Sequence, residues 1–429
     1  MKQLLFSIAV IAALASCNSK KIVIVPASYI DSLLTNYTAA DAINANETEL
    51  KFWKNRIDSQ PAGMVNELKY ASSLTARFQL TGDINDVLSA DSILKVVDNN
   101  FNHKEAAPVM ALARHAILQH HFAAADSLLE QAKKIGIKEY ESLATSFDVD
   151  FELGRILLAE TELKKIVSGN DYGYNFRHSK LAHYKGDVDI AIAAMNNAIE
   201  LAGNDINLKQ AALSNVADLY LHNGKLQKAY TLYRESISLN AADLHSIMGI
   251  GWIALVHDKN DSLAEKIFLF VQGKTRSAEP LFKLALTAEA RGDSILATKY
   301  AHAFEKQVTK PVYGNMYNKY LVQLYTGILH EPAKAELTAQ KELLNRNTPQ
   351  TAAWYVWALC CNNKPTEAYK IFQLHVSKKP LEGLELYWMG KLMQGLKKGY
   401  NAKQFFTEAA KNKYDLSPLM IADLEKELE

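Results

Sequence analysis

The 429-residue sequence predicts an all-α solenoid of about ten helical hairpins flanked by helical end caps. Three observations carry that prediction. Small residues recur every thirty-odd positions. Each sits in a pattern of helix, turn and helix. No long Pro, Gly or Ser linker interrupts the series.

The unit is clearest in LSNVADLYLHNGKLQKAYTLYRESISLN, Leu213 to Asn240. It reads as a helix, a turn at Asn223-Gly224 and a second helix. Gly224 suits the left-handed backbone that ends a helix. Ala217, Ala229 and Ser236 let two helices approach closely, and Tyr220, Leu226 and Tyr233 fill the space around the crossing. This stretch is similar to the tetratricopeptide repeat, whose eighth, twentieth and twenty-seventh positions are small. The residues at the twentieth position are Val87, Ala125, Ala159, Ala191, Ala229, Ala264, Ala297, Ala335, Ala368 and Ala402. They stand 38, 34, 32, 38, 35, 33, 38, 33 and 34 residues apart, around the 34-residue period of that family. The resemblance covers roughly residues 66 to 412 and implies a right-handed superhelix.

The flanks read as end pieces. SYIDSLLTNY is helical in pattern, and NETELKFWKNRIDSQP reads as a helix capped by Asn46, with Glu49 in capping-box position, ending before Pro61. At the far end Ser417 is the expected N-cap and Pro418 the first helical residue. Leu419, Leu424 and Leu428 are expected to face the last hairpin.

The N-terminus carries one charge, Lys2, and then the short apolar run LLFSIAVIAALA. This is the pattern of a secretory signal. The run is well short of the ~20 residues that span a bilayer. Leu14-Ala15-Ser16-Cys17 resembles the lipobox of bacterial lipoproteins, which implies cleavage before Cys17 and acylation of that cysteine. The expected division is a signal peptide over 1–16, a lipidated tether with an N-terminal helix over 17–45, and the solenoid with its capping helix over 46–429. Asn18 stands where some bacteria place an inner-membrane retention aspartate, and Lys20 and Lys21 where surface-exported lipoproteins carry acids. The resemblance therefore implies an outer-membrane lipoprotein, with the periplasmic face favoured.

Charge and motifs bear on the remaining function classes. Lys and Arg total 48 against 47 Asp and Glu, a net charge of +1, which offers no basic footprint for nucleic acid. Gly273-Lys274-Thr275 lacks the earlier glycine of a phosphate loop, since Phe268 stands there. His115, His120 and His121 lack the His-Glu-x-x-His pattern of a zinc site, and the last two are expected to be exposed at a turn. No Gly-x-Ser-x-Gly stretch suggests a nucleophile. Cys360 and Cys361 are adjacent in an apolar stretch and read as packing residues rather than a disulfide. The expectation is a non-enzymatic protein with no cofactor and no metal.

In the family the first helix of each hairpin lines a concave groove that holds peptide segments. Transfer of the groove positions assigns Arg114, Asp148, Glu152, Lys180, His183, Tyr184, Asp218, Trp357, Tyr387 and Lys391 to partner binding. Asp148 and Glu152 share one helix face, and Lys180, His183 and Tyr184 another. Acidic and basic-aromatic patches side by side suit an extended peptide of mixed charge. The implied function is a membrane-tethered scaffold for protein–protein contacts in the bacterial envelope. The alternative is a glycan- or peptide-binding lipoprotein of an uptake system, with Trp357 and Tyr387 stacking a sugar.

Overall fold

The structure, a computed structural model, describes residues 23–59, 64–166, 171–396 and 402–429. Cys17, its signal segment and Pro61 lie outside them. Among the described residues all regular structure is helical. Two helices come first, α1 (Ala27–Thr35) and α2 (Ala40–Ser59). Ten hairpins follow. The first four are α3 (Met64–Thr81) with α4 (Ile84–Asn100), α5 (Ala106–Leu118) with α6 (Phe122–Ile135), α7 (Glu139–Glu152) with α8 (Ile156–Lys165), and α9 (Tyr172–Tyr184) with α10 (Val188–Leu201). The middle three are α11 (Ile206–His222) with α12 (Leu226–Leu239), α13 (Leu244–Val256) with α14 (Asp261–Gln272), and α15 (Glu279–Ala290) with α16 (Ser294–Val308). The last three are α17 (Asn318–Thr326) with α18 (Pro332–Asn345), α19 (Pro349–Cys361) with α20 (Pro365–Ile371), and α21 (Gly383–Leu396) with α22 (Ala402–Lys411). Helix α23 (Pro418–Leu428) ends the chain, with Ser417 Oγ accepting from the Met420 amide as its cap.

The alanine series is where the helices cross. From Val87 to Ala368 every member is buried, none more than 1 % exposed, and Ala335 occupies the same fourth position of its helix as the others. A larger side chain there would hold the two helices of a hairpin apart. Ala402 is half-buried, and Phe406, four residues on, packs against Gly390 as Phe268 packs against Gly251. Gly224 takes the expected left-handed backbone, φ +70°.

Three local expectations are corrected. Asn46 is not a cap. Helix α2 begins at Ala40, and buried Asn46 donates from Nδ2 to the Ser73 carbonyl, tying α2 to α3. Leu424 is fully buried against the last hairpin and Leu428 partly, but Leu419 faces solvent. His120 and His121 are half-buried, because their turn is covered by another part of the chain. Cys360 and Cys361 are half-buried free thiols, and burial pushes Cys361 up to about 12.

That covering is the feature that decides the shape. Segments of the first six hairpins pack against loops that come 162 to 225 residues later. Arg276 N and Thr275 Oγ1 donate to the Thr81 carbonyl, so the Gly-Lys-Thr stretch is a joint. The His120 carbonyl accepts from Asn345 Nδ2 at 3.0 Å. Arg346 reaches Glu152 at 2.9 Å, beside Gly154, which lies against the Asn347 carbonyl. His222 meets Asp415 at 2.7 Å, and Trp252 Nε1 donates to the Tyr414 carbonyl at 2.7 Å. Apart from Trp252, which reaches Tyr414 from within α13, each contact joins the turn of one hairpin to the loop five to six hairpins further on. The array of ten hairpins therefore coils through nearly two turns, and its successive turns meet along a seam. Helix α1 strengthens it by packing on α12 and α14, with Tyr29 edge-on to Tyr230, while α2 packs on α3. The Asp258 carboxylate accepts both the Ile24 and Val25 amides, at 3.0 and 2.9 Å, and Val25 is 1 % exposed.

Candidate functional site

Closure turns the inner wall of the solenoid into an axial cavity. Its larger part has a volume of about 620 Å³ and is walled by the first helices of the middle hairpins, α9, α11, α13, α15 and α17, with Tyr414 and Asp415 at the seam. A second part of about 340 Å³ lies towards α7 and α19 and shares Lys180, His183, Lys319 and Tyr320 with the first. Together they are of the size that holds a small-molecule or short-peptide ligand.

The close approach of backbone at Gly249 helps build the wall. A Cβ there would come within 2.4 Å of the Tyr233 ring. Without one, the Tyr233 ring packs against Gly249 of α13 and its hydroxyl donates to Asp218. Asp218 also accepts from His245 Nε2 at 2.8 Å and holds that imidazole charged, its pKa pushed up to about 10 against the effect of burial. Lys319 stands 3.5 Å from Glu382 and 3.4 Å from Glu385. Burial opposes its charge, and the two carboxylates outweigh burial and raise its pKa. Glu152 lies between Lys180 at 2.6 Å and Arg346 at 2.9 Å. Burial favours its neutral form, but the two cations prevail and hold it below the usual carboxylate range. His183 packs edge-on against the His222 ring, 4.5 Å between centroids. Burial and the neighbouring imidazole lower its pKa, and its Nε2 is buried without a partner.

Two charges of the wall feel each other through space but make no direct contact. Among the described residues, Lys283 and Glu279 on α15 have neither an ion pair nor a side-chain hydrogen bond. The Lys283 ammonium lies over the Trp252 ring, 3.7 Å from its centroid, and burial lowers its pKa.

The residues expected to grip a partner are distributed differently. Glu152, Lys180, His183, Tyr184 and Asp218 do line the cavity. The acidic and basic-aromatic patches, however, face each other: Glu152 is taken by Lys180 and Arg346, and Asp148 by Arg177 at 2.6 Å. Their charges are satisfied within the chain, which removes the reason to expect a mixed-charge peptide there. Arg114 pairs with Glu141 away from the cavity. Trp357 stacks on Trp388 as core filling, with ring planes 9° apart. Tyr387 and Lys391 lie under α23, bonded to Asp423 and Glu427. The terminal helix thus covers the last groove positions. The residues not anticipated are Trp252, Glu279, Lys283, Lys319 and Arg346. Glu279 and Tyr320 do occupy groove positions of their hairpins, the second and the fifth, so a full transfer of the pattern reaches them. Arg346 sits in a loop and carries no such signal.

Among the described residues no group of three His, Cys, Asp or Glu side chains is placed to hold a metal ion, and no helix is long and apolar enough to cross a membrane.

The class that fold and cavity define is an α-solenoid of tetratricopeptide-type hairpins, coiled so that successive turns meet along a seam. Comparison with solved structures finds other repeat proteins. One is a signal transduction ATPase with a tetratricopeptide repeat sensor from Pyrococcus horikoshii, at 18% identity and TM-score 0.41, covering 65% of this chain and 49% of that one. This chain thus spans about half the length of that protein. Another is a tetratricopeptide repeat protein from Parabacteroides merdae, at 15% identity and TM-score 0.35, covering 64% of this chain and 99% of that one. A third is the Cut9–Hcn1 hetero-tetramer of the APC/C, at 12% identity and TM-score 0.35, covering 94% and 96%. No family model and no curated protein matches the sequence.

Proposed function

We propose that this chain is a lipid-tethered interaction scaffold of the bacterial envelope that receives a segment of a partner protein in its axial cavity. The observation that carries the reading is the cavity itself: inner helices of successive hairpins present polar and aromatic side chains to one bounded space. Because the seam bounds that space, the partner enters as a chain end or loop rather than as a strand running through an open groove. The lipobox at Cys17 supports a membrane anchor, and Asn18, Lys20 and Lys21 support the periplasmic face of the outer membrane. A tether raises the local concentration of scaffold at the membrane, so a weak cavity contact suffices.

The test is photocrosslinking in cells. A photoreactive residue replacing Gln323 in the cavity wall should yield a defined protein adduct. The same residue replacing exposed Ile295 or Leu344 should not. Cys17→Ala should release the protein from the membrane fraction. Adducts formed from the outer sites alone would refute the cavity reading, and membrane retention of the Cys17→Ala protein would refute the anchor.

A further inference from the structure

We infer that the larger cavity holds a specific site for a free dipeptide, whose carboxylate is taken by Lys283 and whose ammonium is taken by Glu279. The inference goes beyond the scaffold reading, since it concerns a small ligand with no partner protein attached.

The argument begins with what the wall leaves unsatisfied. The other charged side chains lining the cavity are paired: Lys180 with Glu152, Lys319 with Glu382 and Glu385, His245 with Asp218, His222 with Asp415, Arg346 with Glu152. Glu279 and Lys283 alone are not, among the described residues. A glutamate four residues before a lysine is the favoured order for an intrahelical ion pair. Here the pair does not form. The ammonium turns instead onto Trp252, and Trp252 is held in place by its bond to the Tyr414 carbonyl at the seam. Closure of the solenoid therefore sets the position of the lysine. An ammonium resting on an aromatic face keeps donors free for an anion.

Size selects the ligand. One helical turn separates the two residues, about 6 Å between their Cβ atoms. The charged ends of an extended dipeptide lie about 7 Å apart, at roughly 3.5 Å per residue. A dipeptide is the shortest peptide with free ends that fits this span, and the length controls below test that choice directly. The body of the ligand would lie among Met248, Phe282, Leu286 and Tyr320, an apolar and aromatic surface that accepts varied side chains. The sequence of the dipeptide is read loosely and its two ends strictly. Loss of either charged contact should weaken binding by about tenfold or more.

The experiment is titration calorimetry on the full chain in detergent. The probes are Ala-Leu with free ends, its N-acetyl form and its amide, with free leucine and trialanine as length controls. Free Ala-Leu should bind, and each blocked form about tenfold more weakly. Lys283→Met should abolish the difference between acid and amide while keeping that between amine and acetyl. Glu279→Gln should do the reverse. Circular dichroism and thermal melts establish that both variants fold. Absence of heat with free Ala-Leu on folded protein overturns the inference, as does equal binding of free and doubly blocked forms. A pattern in which both variants lose all discrimination together also overturns the assignment of one end to each residue. Crosslinking of a partner protein in cells is an independent readout, so failure of the dipeptide site leaves the scaffold reading standing or falling on its own test.

Discussion

Arg346→Met is the sharpest probe of the seam. Arg346 belongs to the loop after α18, yet it bonds Glu152 at the end of α7, 194 residues earlier, and Glu342 on its own helix. Both partners of the long-range pair are 18 % exposed, and Glu342 is fully buried. Removing one member of a largely buried pair leaves the other uncompensated and costs about 3–5 kcal/mol when burial is complete. Lys180 still serves Glu152, and Asn318 still serves Glu342, which lowers the expected cost to about 2–3 kcal/mol. The assay is a double-mutant cycle with Glu152→Gln, read by urea unfolding and by hydrogen exchange at the turn around Gly154 and at Asn347. A coupling of about 1–2 kcal/mol is expected, with faster exchange at both places in either single mutant. Additive effects, or exchange changed on one side only, would show that the two segments merely lie near each other, and the seam would have no energetic basis.

Three further outcomes follow from other contacts. Burial, aided by Arg346, lowers the His120 pKa to about 4. The unfolded chain therefore takes a proton that the folded one refuses, and stability should fall as pH drops from about 6.5 towards 4, by roughly 3 kcal/mol. His120→Asn, which tolerates the left-handed backbone there (φ 57°), should flatten that part of the pH profile in thermal melts. Asp258→Ala removes the acceptor of the Ile24 and Val25 amides and should cost about 2 kcal/mol, with exchange at those two amides rising first. Gly249→Ala drives a Cβ into the Tyr233 ring and should cost about 1–3 kcal/mol, and it should lower the pKa of His245 in an NMR titration by loosening Asp218.

The hairpins were legible because their cause is local. A small residue at each crossing and turn-forming residues between helices leave a trace within thirty-odd positions, and Val87 to Ala368 pack as that trace predicts. Groove positions such as Glu152, Lys180 and Asp218 were legible for the same reason. Their partners were not. The curvature of a solenoid is the sum of small rotations between neighbours. No single hairpin encodes whether ten of them will meet. Arg346, Asn345 and Tyr414 look like ordinary loop residues until the sum is known, and so do the turn residues His120 and Gly154 that they cover. Asp148 and Glu152 illustrate the cost of that gap. Their spacing placed them correctly on one face, but only the assembled wall shows that Arg177, Lys180 and Arg346 already satisfy them.

The seam also bears on how such a chain can change over generations. An open solenoid grows or shrinks by whole units, because each unit touches only its neighbours. Here the turn before Asp83 is matched to the loop at Arg276, and the turn at His222 to the loop at Asp415. Deleting one hairpin from the middle would shift every such match by a full unit and leave both edges without their counterparts. Closure thus converts a modular string into a molecule with a fixed count, in which the number of hairpins matters to the shape as much as any side chain in the wall.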